Sequence, residues 1–118
     1  MIKKFQDLIV WDKAHALVLA VYKLTAGFPQ EERFGLVPQM RRAAVSVPAN
    51  IAEGFKRRTK PDKIHFYNIS QGSLEELCYY FILSKDLGYI SDNEPMLANS
   101  EVVGRMLTSL ISSIKASR

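Results

Sequence analysis

The amino-acid sequence predicts an all-α protein, an antiparallel up-down four-helix bundle occupying residues 1–118 as a single domain. Three observations carry this expectation. Apolar residues recur at three- and four-residue steps through four long segments. Gly- and Pro-rich punctuation falls at three places, Gly27 to Pro38, Arg58 to Pro61 and Gly88 to Asn93. No alternation of apolar and polar residues suggests a strand, and no repeat or Gly/Ser linker divides the chain. The expected helices run over about 8–26, 36–57, 61–87 and 93–115.

In the first helix Trp11, Ala14, Leu17, Val18, Val21, Tyr22 and Thr25 share one face. Asp7 is the expected N-cap, since a carboxylate there accepts free backbone N–H groups, and Gly27 is the expected stop. The second helix keeps the stripe Met40, Ala44, Val47, Ile51 and Phe55 in phase on both sides of Pro48. That continuity predicts one helix kinked at Pro48 rather than two, because proline has no N–H for the carbonyl of Ala44 and crowds it. Ser46 and Asn50 flank the break, and their side chains are expected to satisfy the disturbed backbone.

The third helix opens with Thr59-Lys60-Pro61-Asp62, a threonine cap with proline in the first turn and an acid three residues on. Leu87-Gly88 closes it, with Gly88 free to turn left-handed. Two stripes run along it: Ile64, Tyr67, Leu74, Cys78 and Phe81, then Phe66, Ser70, Ser73, Leu77 and Tyr80. Two stripes imply two buried faces, more apolar surface than one bundle uses, and the excess is expected to pack against another copy of the chain. The fourth helix is amphipathic, with Met96, Val103, Met106, Leu107, Leu110, Ile111 and Ile114 on its apolar side.

Composition excludes several classes. Hydrophobic residues make up 47% and charged residues 24% of the chain, which is globular rather than disordered. The longest run without Asp, Glu, Lys or Arg is 11 residues, Ile64 to Leu74, too short for the ~18 or more apolar residues of a membrane span. Lys3 and Lys4 begin like a signal peptide, but Asp7 and Asp12 interrupt its apolar core. The single cysteine, Cys78, has no internal disulfide partner. A cytoplasmic protein is the expectation.

The chemistry of catalysis is missing from the sequence. No glycine loop precedes a Lys-Ser or Lys-Thr pair, so nucleotide hydrolysis is not expected. His15, His65 and Cys78 have no metal-ligand spacing, and no cofactor or metal is expected. Glu75 and Glu76, being adjacent, point apart on a helix. Cys78 on an apolar stripe reads as an unactivated buried thiol, and Asp7, Asp12, Asp86 and Asp92 read as caps or surface charges. With no nucleophile, base and orienting group in one pattern, the chain is expected not to be an enzyme.

The charge distribution is more informative. Lys and Arg number 16 against 12 Asp and Glu, a net charge of +4. The whole excess lies in eight residues, where Lys56, Arg57, Arg58, Lys60 and Lys63 face only Asp62. Clustered cations suit RNA or DNA, since neutralising phosphates releases condensed counterions without reading sequence. The same run also suits a solvated turn whose cations favour a helix C-terminus. Phe55 and Phe66 flank it and are expected in the core rather than stacked on bases. Arg41 and Arg42 either pair with Glu53 or an acid of a neighbouring copy or line a charged surface; pairing is favoured, because an arginine buried inside a largely apolar stripe needs a carboxylate or carbonyl.

Read together, Asp7-Leu8, Val10-Trp11, Lys13-Ala14, Phe28-Pro29, Phe34-Gly35-Leu36 and the string from Arg41 to Gly54 are familiar. So are Gly72-Ser73-Leu74, Glu76-Leu77 and Asp86-Leu87-Gly88-Tyr89-Ile90. From Phe5 to Ile90 the chain resembles the four-helix-bundle proteins encoded in intervening sequences of bacterial large-subunit ribosomal RNA genes, once described as a ribosomal protein. The resemblance implies a left-handed bundle that assembles into a ring-shaped homopentamer, with no established activity. A more distant similarity in fold is to the accessory protein of diversity-generating retroelements, a basic pentamer that binds nucleic acid, although no motif peculiar to it is present. A ring would repeat the basic junction on every subunit. The expected function is therefore electrostatic binding of RNA or DNA, and the alternative is a protein-interaction scaffold using apolar or tyrosine-rich surface, including Tyr79, Tyr80 and Tyr89.

Overall fold

A computed structural model describes all 118 residues. Its helices are α1 (Ile9–Thr25), α2 (Leu36–Lys56), α3 (Lys60–Asp86) and α4 (Glu94–Ala116), with no strand. Each helix packs antiparallel on its neighbour in sequence, and α1 closes against α4. The bundle measures 50 × 23 × 22 Å. None of its helices is long and apolar enough to cross a membrane.

The caps differ in part from the expectation. Thr59 caps α3, its hydroxyl accepting from the Asp62 N–H at 3.3 Å, and Gly88 turns left-handed at φ +81°. Asp7, however, does not cap α1. It closes a separate 3-10 turn, Phe5–Asp7, and its carboxylate accepts from the Lys3 and Lys4 N–H groups. The cause is Leu8, which is extended and turns the Asp7 carboxylate back toward the preceding amides. Gly27 has no left-handed conformation, and α1 ends at Thr25 with Ala26 as its C-cap. A second 3-10 turn, Gln30–Glu32, leads into α2, where the Glu32 carboxylate accepts from the Leu36 N–H at 3.0 Å. At α4, Asp92 accepts from the Glu94 N–H at 2.9 Å.

Helix α2 passes through Pro48 without interruption, as one helix. The Asn50 amide donates to the Ser46 carbonyl at 2.8 Å, and Ser46 meets Ser73 of α3 at 2.8 Å. These two side chains therefore serve the turn around Pro48 and the helix contact rather than the carbonyl of Ala44.

Eighteen buried apolar residues form one core, with Tyr67, Phe81, Met40, Ile51, Leu77 and Leu107 its largest enclosed side chains. The two stripes expected on α3 merge into one. Tyr67, Ser70, Leu74, Leu77, Phe81 and Ser84 are buried at alternating three- and four-residue steps, the spacing of a bundle seam. Members of both stripes that fall outside this seam, Phe66, Cys78 and Tyr80, are only half-buried. Buried hydroxyls bond to backbone: Ser70 donates to the Val47 carbonyl across the helix pair at 2.8 Å, and Ser100 to the Met96 carbonyl. No buried side-chain polar atom lacks a partner.

Arg41 finds carbonyl and hydroxyl partners rather than a carboxylate. Its guanidinium donates to Thr25 Oγ1 at 2.9 Å and the Tyr22 carbonyl at 3.3 Å, and lies over the Tyr22 ring. Glu53 pairs instead with Arg57.

Gly54 permits the tightest contact of the bundle. A Cβ there would lie 2.6 Å from Tyr67 Cε1, so the ring rests directly on the α2 backbone. Gly54→Ala should destabilise the protein by about 1–3 kcal/mol through overpacking, exceeding the helix propensity gained. Gly72→Ala on α3, where a Cβ meets nothing within 4 Å, should stabilise by about 0.5–1 kcal/mol; urea denaturation of both variants checks the pair of signs.

A polar tie joins the far end of the bundle. The Tyr89 hydroxyl donates to Glu32 Oε2 at 2.6 Å, and its ring packs on Phe28. That bond and the Leu36 N–H hold the Glu32 carboxyl below its usual range, while the same bond raises the Tyr89 phenol. The stabilisation is thus present at neutral pH. It fades as pH falls through the lowered carboxylate value, and again as pH rises through the raised phenol value. Tyr89→Phe should lower the melting temperature at neutral pH and flatten its acid dependence, measured by thermal melts across the pH range.

Candidate functional site

The α2–α3 junction consists of the last turn of α2, the connection Arg57 to Thr59, and the first turn of α3. Within it the five cations divide by what their side chains touch. Lys63 caps α2: its ammonium donates to the Phe55 carbonyl at 2.8 Å and reaches the Gly54 carbonyl at 3.4 Å. Burial lowers its pKa. Lys60 donates to the Ser117 carbonyl, tying the end of α4 to the start of α3. Arg57 pairs with Glu53 at 2.8 Å and lies over the Phe66 ring at 4.6 Å. Lys56 and Arg58 are exposed and make no ion pair.

Phe55 and Phe66 are not core residues. Both are half-buried at the surface and carry cations on their faces, Lys63 over Phe55 and Arg57 over Phe66. The connection between α2 and α3 is too short to let these rings turn inward, where Tyr67 and Ile51 already fill the seam.

The fold adds cations that the sequence run did not contain. An up-down bundle brings the start of α1 and the end of α4 to the end where α2 meets α3. Lys3, Lys4, Lys115 and Arg118 thereby join Lys56, Arg57, Arg58, Lys60 and Lys63, with Lys4 and Lys56 lining one shallow groove. Nine of the 16 basic side chains gather there against Asp7, Asp12, Glu53 and Asp62, and the remainder of the protein has more acids than bases. The signal available in the sequence was topological: even-numbered helices with short connections place both chain ends beside the middle connection.

Elsewhere, the groove between α3 and α4 has a volume of about 850 Å³ and is walled by Leu74, Cys78, Ser100 and Gly104 among others. Cys78 is half-buried there rather than enclosed, and burial pushes its thiol up, away from the reactive thiolate. No three His, Cys, Asp or Glu side chains come together as metal ligands.

These features define a class: an up-down four-helix bundle with open grooves and a strongly basic end. The family model for the 23S rRNA-intervening sequence protein matches residues 6–109, and the chain belongs to that family. The expectation raised by the Arg41 to Gly54 string is borne out. A crystal structure of a protein of unknown function from the S23 ribosomal protein family of Bacteroides thetaiotaomicron is similar in fold. It has a TM-score of 0.80 at 23% identity, covering 88% of this chain and 96% of that one. No curated protein matches the chain.

The division of labour among the cations has a measurable consequence. Lys63→Ala should cost about 1 kcal/mol of stability by leaving helix carbonyls unpaired, whereas Lys56→Ala and Arg58→Ala should change stability by less than about 0.5 kcal/mol. Chemical denaturation of the three single variants separates the structural cation from the free ones.

Proposed function

We propose that this protein binds RNA or DNA electrostatically through its basic end and performs no catalysis itself. The observation that supports this most is the gathering of nine cationic side chains at one end of the bundle, against four acids. Lys56 and Arg58 are the principal contacts, because they have no partner to give up. Arg57 contributes on release from Glu53, a surface pair of little intrinsic worth. Lys60 and Lys63 add charge while holding the junction in shape. Contacts of this kind neutralise phosphates and read no base sequence.

The reading includes self-assembly in the cytoplasm, as a ring-shaped homopentamer by family resemblance. Ile69, Tyr79 and Ile82, exposed on α3, supply apolar surface for it. Repetition of the basic end around a ring multiplies weak contacts into avidity. The scaffold alternative draws less support from the tyrosines: Tyr80 and Tyr89 spend their hydroxyls on Glu76 and Glu32, leaving Tyr79 as the exposed ring.

The test is fluorescence anisotropy with labelled RNA and DNA at low and moderate salt, on the wild type and on Lys56→Glu/Arg58→Glu. Light scattering first establishes that both have the same multimeric mass. Binding should weaken steeply with salt, and the variant should lose affinity and reduce the salt slope by about 2, one unit for each phosphate contact removed. No binding by the wild type at low salt overturns the reading; a monomeric mass at micromolar concentration overturns the ring.

A further inference from the structure

Phe5, Trp11 and His15 make an aromatic wall along α1. Trp11 stacks on His15 with ring centroids 5.0 Å apart and planes 10° from parallel, and the Phe5 ring meets Trp11 edge-on at 5.2 Å. Opposite this wall α2 presents Val45, Pro48, Ala49 and Ala52, small or ring-shaped side chains that leave an open apolar groove of about 360 Å³. A second groove of about 370 Å³, which shares Phe5 and Ala52 with the first, continues toward the basic end and is lined by Lys4, Phe55 and Lys56, with the Glu53 carboxylate, paired with Arg57, on the same wall. The two together form a track that is aromatic and apolar at one end and cationic at the other. The apolar groove itself lies away from the α2–α3 junction, and only the second groove reaches it, at Phe55 and Lys56.

We propose that this α1–α2 groove seats an unpaired base of a single-stranded nucleic acid, so that the basic end prefers single strands to duplex. The inference rests on the nucleic-acid reading above and narrows it to one form of the ligand. A nucleotide joins a flat apolar face to an anionic phosphate, and the track offers the matching pair, rings and aliphatic walls beside Lys4 and Lys56. In a duplex each base face is covered by the next base pair, leaving nothing to enter the groove.

Trp11 is the only tryptophan, so the protein carries its own reporter at the site. The experiment titrates the full chain with oligo(U), with oligo(dT) and with a duplex of equal length at low salt, reading tryptophan fluorescence and anisotropy of the labelled strands together. Single strands should change Trp11 emission and bind more tightly than duplex, while duplex binds without the emission change. Phe5→Ala should weaken single-strand binding roughly five- to hundredfold, the range for loss of one base stack, and leave duplex binding unaltered. Ala49→Gln, at an exposed position on α2 where folding is not at stake, should obstruct the groove and remove the single-strand preference. Equal binding of both forms with silent Trp11 overturns the groove proposal while preserving the electrostatic reading. Emission that follows protein concentration but not added strands also overturns it, since a second copy then covers the groove. Absence of all binding removes both readings.

Discussion

The close approach of α2 to α3 is the contact from which the rest of the molecule is built. The Tyr67 ring lies on Gly54 because nothing larger than hydrogen stands in its way, and Ser70 reaches across to the Val47 carbonyl just beyond. Together with the Ser46–Ser73 bond these contacts set the register of the hairpin along its whole length. Register in turn leaves only Arg57 to Thr59 between the helices, and that short span is why Lys63 can reach back to the last carbonyls of α2. Small side chains along this seam do for the hairpin what large ones do elsewhere. They allow backbones to approach, and the apolar residues of α1 and α4 then close over the pair.

The four helices were legible because their apolar spacing is strong and their stops are chemically explicit. Thr59, Pro61 and Gly88 act as their chemistry dictates, and each helix begins and ends within about two residues of its expected limit. What the pattern could not resolve was facing. Two offset stripes on α3 look like two faces until alternating three- and four-residue steps draw one seam from both, as the burial of Tyr67, Ser70, Leu74 and Leu77 demonstrates. Phe55 and Phe66 carry an apolar signal indistinguishable from core, and only their place at a helix end exposes them. Asp7 failed as a cap for a local reason, the extended conformation of Leu8, which no propensity at position 7 could disclose. At the candidate site, the five clustered cations were plain in the sequence, but their separate tasks depend on partners 4 to 57 residues away.

The positive end owes its sign to side chains. In an up-down bundle two helix N-termini and two C-termini meet at each end, so the backbone dipoles largely cancel. Lysines and arginines then decide the local field, subject to the helix carbonyls and single carboxylates that claim some of them. Lys63 belongs to the fold and Lys56 to the solvent, although seven residues separate them and both carry one charge. A count of basic residues overstates the charge free to meet a partner, while the clustering of the chain ends understates it when sequence distance is used as the guide.

The elongated shape has its own consequence. A rod 50 Å long and about 22 Å across, charged chiefly at one tip, presents its narrow end first to a polyanion because the field exerts a torque on it. On the proposed reading, a rod standing upright would cover about 22 Å of a helically stacked strand, or roughly six nucleotide steps at ~3.4 Å each, where the same rod lying flat would occupy more than twice as many. Its occupancy per length of strand would then be set by cross-section rather than by helix length. Neighbours would crowd side by side, with their distal ends projecting outward as a second surface.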